Sequence, residues 1–203
     1  MPDIVSSPVL SERSKAMLDR ILRVIKLDKS VYAEVEADES AMSQAAMVVA
    51  IVAVLSAIAG GISTLIAGEG SSFIGAFLGA LIGAFISWVV WSAVTYFVGT
   101  ALFHGEATLG EMLRVIGFAQ APLVLNVLSF IPCLGPIISL AAWLLSLYTG
   151  FLAIKEGLDL DTGKTIATVA IGWVIGFIIS LVIGMIFGVG MIGAGVLSGA
   201  FGG

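Results

Sequence analysis

Residues 45–67 of this 203-residue chain run for 23 positions without a charged side chain. As an α-helix, at about 1.5 Å per residue, such a run crosses the roughly 30 Å hydrocarbon core of a bilayer. Residues 73–103, 115–131, 137–154 and 165–190 are likewise uncharged and apolar. The whole chain is 59% hydrophobic and 11% charged, with a mean hydropathy of +1.14. That composition lies far outside the range of water-soluble domains. In hydrocarbon every backbone N–H and C=O must be bonded within the chain, and a helix does this locally. The expected fold class is therefore all-α, a polytopic membrane bundle of five transmembrane helices over residues 45–203, preceded by an N-terminal segment, residues 1–44.

The breaks between the runs carry their own signals. Gly68-Glu69-Gly70-Ser71-Ser72 separates the first two spans. Thr108-Leu109-Gly110-Glu111 fits a capping box, so a helix is expected to begin there and to enter the membrane after Arg114. Pro122 lies inside the third span and predicts a bend, because proline removes a donor and clashes with the preceding turn. Pro132, Gly135 and Pro136, within Pro132-Cys133-Leu134-Gly135-Pro136, end that span. A tight hairpin into the fourth span is preferred there over a re-entrant pair. Asp161 or Thr162 is the expected N-cap of the fifth span. From Thr165 the uncharged, glycine-rich tail runs 39 residues to Gly203. One straight helix of that length would reach about 58 Å, so a break is predicted between Gly184 and Gly195. Cys133 is the only cysteine, which excludes an intrachain disulfide.

Charge sets an orientation. Six of the nine Lys and Arg residues lie in the N-terminal segment, one is Arg114, and two, Lys155 and Lys164, lie in the loop before the last span. Five spans with the N-terminus in the cytoplasm put all nine on the cytoplasmic face, as basic loops require, and the C-terminus on the opposite side.

Met17, Leu18, Ile21, Leu22 and Ile25 share one helical face within residues 10–27, with charged residues mostly opposite. This predicts an interfacial amphipathic helix, either a structural helix on the headgroups or a docking element. Tyr32 and Val35 extend its contact, and Glu34, Glu36, Asp38 and Glu39 read as a solvated face. Gly75, Gly79 and Gly83 in the second span and Gly172 and Gly176 in the fifth are spaced for close helix packing. Packing within the chain is the ordinary reading, and a homo-oligomer through the Gly75 strip is the sharper one.

Reactive chemistry has no foothold. No charged residue falls within a span, and His104 is the only histidine. The string from Gly157 to Thr165 has the wrong spacing for a phosphate loop and lacks a preceding strand; Asp159 and Asp161 are expected to cap helices instead. No catalytic residue, metal site or cofactor is expected.

The segments Ile25–Ala50, Arg114–Pro122 and Phe151–Thr168 together resemble the Yip family of Ypt/Rab-interacting membrane proteins. The most specific piece is Gly117-Phe118-Ala119-Gln120-Ala121-Pro122, similar to the family's Gly-Tyr-x-x-x-Pro with Phe118 for tyrosine. The resemblance covers roughly residues 20–185 and implies a cytoplasmic N-terminus and five spans. The Asp-Leu-Tyr-Gly-Pro motif of eukaryotic members is absent, which aligns the chain with the prokaryotic branch and a plasma membrane. The expected function is a non-catalytic scaffold, adaptor or membrane-organising protein; the alternative is a small channel or transporter around Gln120, Pro122 and Asn126. Expected partners are the lipid bilayer and a protein or a second copy of the chain, and no nucleic acid.

Overall fold

The computed structural model describes residues 8–66, 73–131 and 133–201, with side-chain surroundings for residues 12, 14–62, 77–131, 133–179, 181, 182 and 185. The elements are α1 (Pro8–Ile25), α2 (Ser30–Ala37), α3 (Ala41–Ile66), α4 (Phe73–Phe103), α5 (Leu109–Ala119), a 3-10 segment (Ala121–Leu128), α6 (Gly135–Gly157) and α7 (Thr162–Phe201). Among the described residues there is no strand. Five helical stretches are long and apolar enough to cross a membrane: Ala41–Ile62, Phe77–Phe103, Leu109–Leu128, Gly135–Gly157 and Thr162–Ile179. The all-α, five-helix class expected from charge and hydropathy is the one observed.

α4, α6 and α7 turn many of their large apolar side chains outward, whereas α5 buries Met112, Val115, Ile116 and Phe118. α3 lies against α4, α5 and the 3-10 segment; α6 lies against that segment and α5; α7 is laid mainly along α4. Ile82, Ile86, Phe97, Ile137, Val174 and Phe177 are exposed on the outside. Such a girdle would aggregate in water and is the ordinary surface of a protein in lipid.

The third span starts at its capping box and changes its winding at Pro122. Its helix begins at Leu109, where the capping box predicts it: Glu111 N donates to Thr108 Oγ1 (3.2 Å), and Thr108 N donates to Glu111 Oε2 (2.6 Å). The α-helix stops at Ala119, and the chain continues as a 3-10 helix with Pro122 near its start. Proline cannot donate to an α-helical ladder, and the tighter winding accommodates it. Because a 3-10 helix rises about 2.0 Å per residue against about 1.5 Å, the eight residues of the segment extend about 16 Å where an α-helix would reach about 12 Å.

The tail also corrects the sequence reading. No break occurs between Gly184 and Gly195; α7 is one helix of 40 residues, and it starts at Thr162 with Asp161 Oδ1 accepting from Lys164 N (3.0 Å). Glycine weakens a helix in water through the backbone entropy it loses and by exposing its backbone to solvent. Hydrocarbon offers the freed groups no partner, so breaking the ladder costs more than keeping it. At the other end of this loop, Asp159 holds a left-handed φ of 51° and ends α6, with Leu160 N donating to Lys155 O (3.0 Å).

Candidate functional site

Three short-range facts of sequence converge where the N-terminal helices meet the third span. First, Leu27 takes a left-handed φ of 63° after α1, with Asp28 N donating to Arg23 O (2.9 Å), so the chain turns back at once into α2. Second, Val31, Tyr32 and Val35 recur on one face of α2, which is buried against α5 and α6. Third, Gly117 gives α5 a flat flank. A Cβ added there would lie 2.8 Å from Ala45 Cβ and 3.2 Å from Trp88 Nε1.

Hydrogen bonds lock this level of the bundle. Tyr32 Oη donates to Thr149 O (3.0 Å), and Thr149 Oγ1 donates to Ala119 O (2.8 Å), linking α2, α6 and the end of α5. Trp88 Nε1 donates to Leu113 O (3.0 Å), linking α4 to α5. Arg114 is buried and caps the far end of α2, its Nε donating to Val35 O (3.1 Å) and its Nη2 to Glu36 O. A helix C-terminus carries unsatisfied carbonyls and partial negative charge, which a guanidinium answers on both counts.

A second guanidinium holds α1 to α2 and α3. Arg20 Nε donates to Glu34 Oε1 (2.8 Å), Nη2 to Asp38 Oδ2 (2.7 Å) and Nη1 to Gln44 Oε1 (3.0 Å). Arg23 reaches the other Glu34 oxygen and donates from Nε to Asp28 Oδ2 (3.0 Å). The carboxyls respond. Hydrogen bonds from Arg23 and Arg20 hold Glu34 below its ordinary value, Ser40 and Arg20 do the same for Asp38, and Ser30 with Arg23 lowers Asp28 to about 2. Glu36 moves the other way, raised by burial and by the neighbouring Asp159 and Glu111 carboxylates. Burial also pushes the Tyr32 phenol up.

The residues singled out by sequence divide around this junction. Gly117 and Phe118 are buried within it, and Pro122 is buried at the start of the 3-10 segment. Gly135 closes the hairpin so tightly that a Cβ would lie 2.0 Å from Ser129 O; Pro136 follows it in the first turn of α6, and Pro132 falls outside the described residues. The apolar face of α1 is split: Met17 is buried, Ile21 and Ile25 pack against the core, and Leu18 and Leu22 are more than half exposed. A Cβ at Gly172 would lie 3.3 Å from the Trp91 ring, whereas Cβ atoms at Gly79, Gly83 and Gly176 would meet nothing within 4 Å. Gly75 lies in α4, and its surroundings fall outside the described residues.

Sequence reasoning missed the partners of Arg20 and Arg114 and the bond that joins Tyr32, expected only to extend the α1 contact, to Thr149. Arg20 had a signal: with Met17 and Val24 it lies at i, i+3 and i+7, so an arginine sits on the stripe that turns inward. Glu34 and Asp38, read as a solvated face, are its partners. A cation on a buried stripe needs an acid opposite it, and Glu34 and Asp38 stand one helical turn apart on α2 and its C-cap. His104 is exposed just past the end of α4, with a left-handed φ of 57°, and among the described residues no cluster of metal-ligating side chains occurs.

The family model for the Yip1 domain matches residues 28–184, from the turn before α2 into α7. No curated protein and no solved structure matches the chain.

Proposed function

The chain belongs to the Yip1 domain family of membrane proteins, and from that premise we propose that it is a non-catalytic scaffold or adaptor acting by contact and by membrane shape. The N-terminus faces the cytoplasm of a prokaryotic cell, and the C-terminus lies across the plasma membrane. The observation that supports this reading is the α1–α2 unit: its inner face is fastened by Arg20 and Tyr32, while Leu18 (55% exposed) and Leu22 (53%) point away from the protein beside the charged residues Lys15 and Asp19. A chain that only spans a bilayer has no need to hold such an apolar strip rigidly outside its bundle. An adaptor does, because preorganising a contact lowers the entropy cost of binding.

Photo-crosslinkers at position 18 and, as a control on the buried face, at position 24 test it in native membranes. Position 18 is expected to give a discrete adduct, to one partner protein or to a second copy, and position 24 only intramolecular products. No adduct at 18, together with unchanged vesicle shape on reconstitution, overturns the proposal.

A further inference from the structure

A groove of about 310 Å³ lies between α4, α5, α6 and α7, at the level where α5 gives way to the 3-10 segment. Three of the four tryptophans, Trp88, Trp91 and Trp173, line it together with Phe151, and Gln120 and Gly150 complete the walls. The groove is open to the outside of the bundle, and Ile86 and Val90 on α4 and Val174 on α7, each next in sequence to a lining residue, are exposed. Whatever fills the groove therefore comes from the bilayer.

Two features narrow the occupant. Among the described residues the side-chain amide of Gln120 makes no hydrogen bond, and an amide left without a partner beside acyl chains is disfavoured. The occupant should carry a polar group of its own. Depth is the second feature. Gln120 follows Ala119, whose carbonyl joins Thr149 and through it Tyr32 of α2, so this level adjoins the Arg20 ion pairs that belong outside the hydrocarbon. Tryptophans gather at the height of the lipid headgroups, and there a glycerolipid places its ester carbonyls and the first methylenes of its chains. A cavity of about 150 Å³ holds a benzene ring. This groove thus has room for an ester and the upper part of one chain but not for a whole lipid.

We propose that the groove is a lipid site that holds one glycerophospholipid of the surrounding bilayer, its ester carbonyl accepting from the Gln120 amide and its acyl chain lying among the indoles of Trp88, Trp91 and Trp173. This goes beyond the scaffold reading and does not depend on it. The site would fix a lipid at the junction that anchors α2.

The tryptophans report on their own site. The full chain is placed in lipid discs of phosphatidylethanolamine and phosphatidylglycerol, and a rising fraction of the lipid is replaced by its acyl-brominated form, which quenches indole emission on contact. Quenching is expected to rise faster than the bulk fraction and to saturate as one site. Gly150→Leu fills the groove where a Cβ meets nothing within 4 Å, and Gly79→Leu does the same on α4 outside the groove. The first should return quenching to simple proportion, and the second should leave the wild-type curve. Gln120→Leu keeps the shape but removes the donor and should weaken the apparent preference about tenfold, which also decides the matter if Gly150→Leu does not assemble. Proportional quenching in the wild type, or an unchanged curve in the variants that assemble, overturns the proposal.

Discussion

Gly117 and Gly83 both sit in helices of the membrane bundle. A methyl group at Gly117 would press on Ala45 at 2.8 Å, whereas one at Gly83 would meet nothing within 4 Å. The first belongs to the junction where α2, α4, α5 and α6 are cross-linked by Trp88, Tyr32, Arg114 and Thr149. The second lies on the flank of α4 beside the exposed Ile82 and Ile86. In the junction, shape and hydrogen bonds specify each side chain; on the flank the environment asks only that a residue be apolar. Substitutions should therefore be costly on one side of this divide and nearly free on the other.

The largest effect is expected where backbone meets backbone. Gly135→Ala puts a Cβ 2.0 Å from Ser129 O and 2.7 Å from its carbonyl carbon, and neither atom can swing aside. The hairpin must open, at a cost of about 3 kcal/mol or more. The measurement is the yield of folded protein by gel filtration in mild detergent, and a wild-type yield would show that the hairpin is far more pliant than its packing indicates. Next comes Arg114→Met, which leaves the Val35 and Glu36 carbonyls without their donor inside a buried contact. About 2–3 kcal/mol should be lost, read as a lower melting temperature of the whole bundle. Gly117→Ala should cost about 1–3 kcal/mol by overpacking against Ala45 and Trp88.

Arg20→Met probes the outer edge of the junction. Its partners Glu34 and Asp38 are 43% and 31% exposed at the side chain, so water screens the pairs and the loss should be only about 1–2 kcal/mol. The effect should be local: trypsin should cut sooner at Arg23, Lys26 and Lys29, while the bundle melts as before. Acid should do little until far below neutrality. Glu34, Asp38 and Asp28 are held below their ordinary values, so their contribution is complete above the usual carboxyl range and disappears only as pH falls through the lowered values, about 2 for Asp28. Glu36 has the opposite sign, since its raised value lets the folded protein take up a proton sooner and gain from acidification. Tryptic release of α1 should accordingly be flat from pH 7 to about pH 4.5, and earlier loosening would mean that other groups hold the clasp.

The divide also marks what could be read in the sequence. Span number followed from the uncharged runs, and the starts of α5 and α7 followed from Thr108 with Glu111 and from Asp161, because these signals act within one turn. The end of α5 followed from Pro122. Arg20 with Glu34 and Asp38, and Arg114 with Val35, are tertiary pairs whose partners lie 14 to 79 residues apart; no local pattern encodes them, and surface solvation is the default assignment for a charge. The groove around Gln120 was hidden for a related reason, since its walls come from four helices. Which glycines pack and which face lipid depends on the rotation of each helix about its axis. Protein interior and lipid are equally apolar, so hydropathy carries no record of that rotation. The continuity of α7 was misread because glycine was judged by its cost in water.

The smallest expected effect tests the free side of the divide. Gly83→Ala adds a methyl group where there is room for one, and alanine favours a helix over glycine by about 1 kcal/mol in a helix interior. In lipid the unfolded reference keeps much of its helix, so only part of that gain should remain and the melting temperature should rise slightly or stay level. A clear fall would mean that Gly83 is in contact with something outside the single chain. The strip from Gly75 through Gly79 to Gly83 would then be the face of a second copy, and the mass of the complex in lipid discs should fall to that of one chain on going from wild type to Gly83→Leu. With no fall in stability and no change in mass, the strip is lipid-facing surface, and its spacing reflects only the abundance of glycine in a chain that has 25 of them.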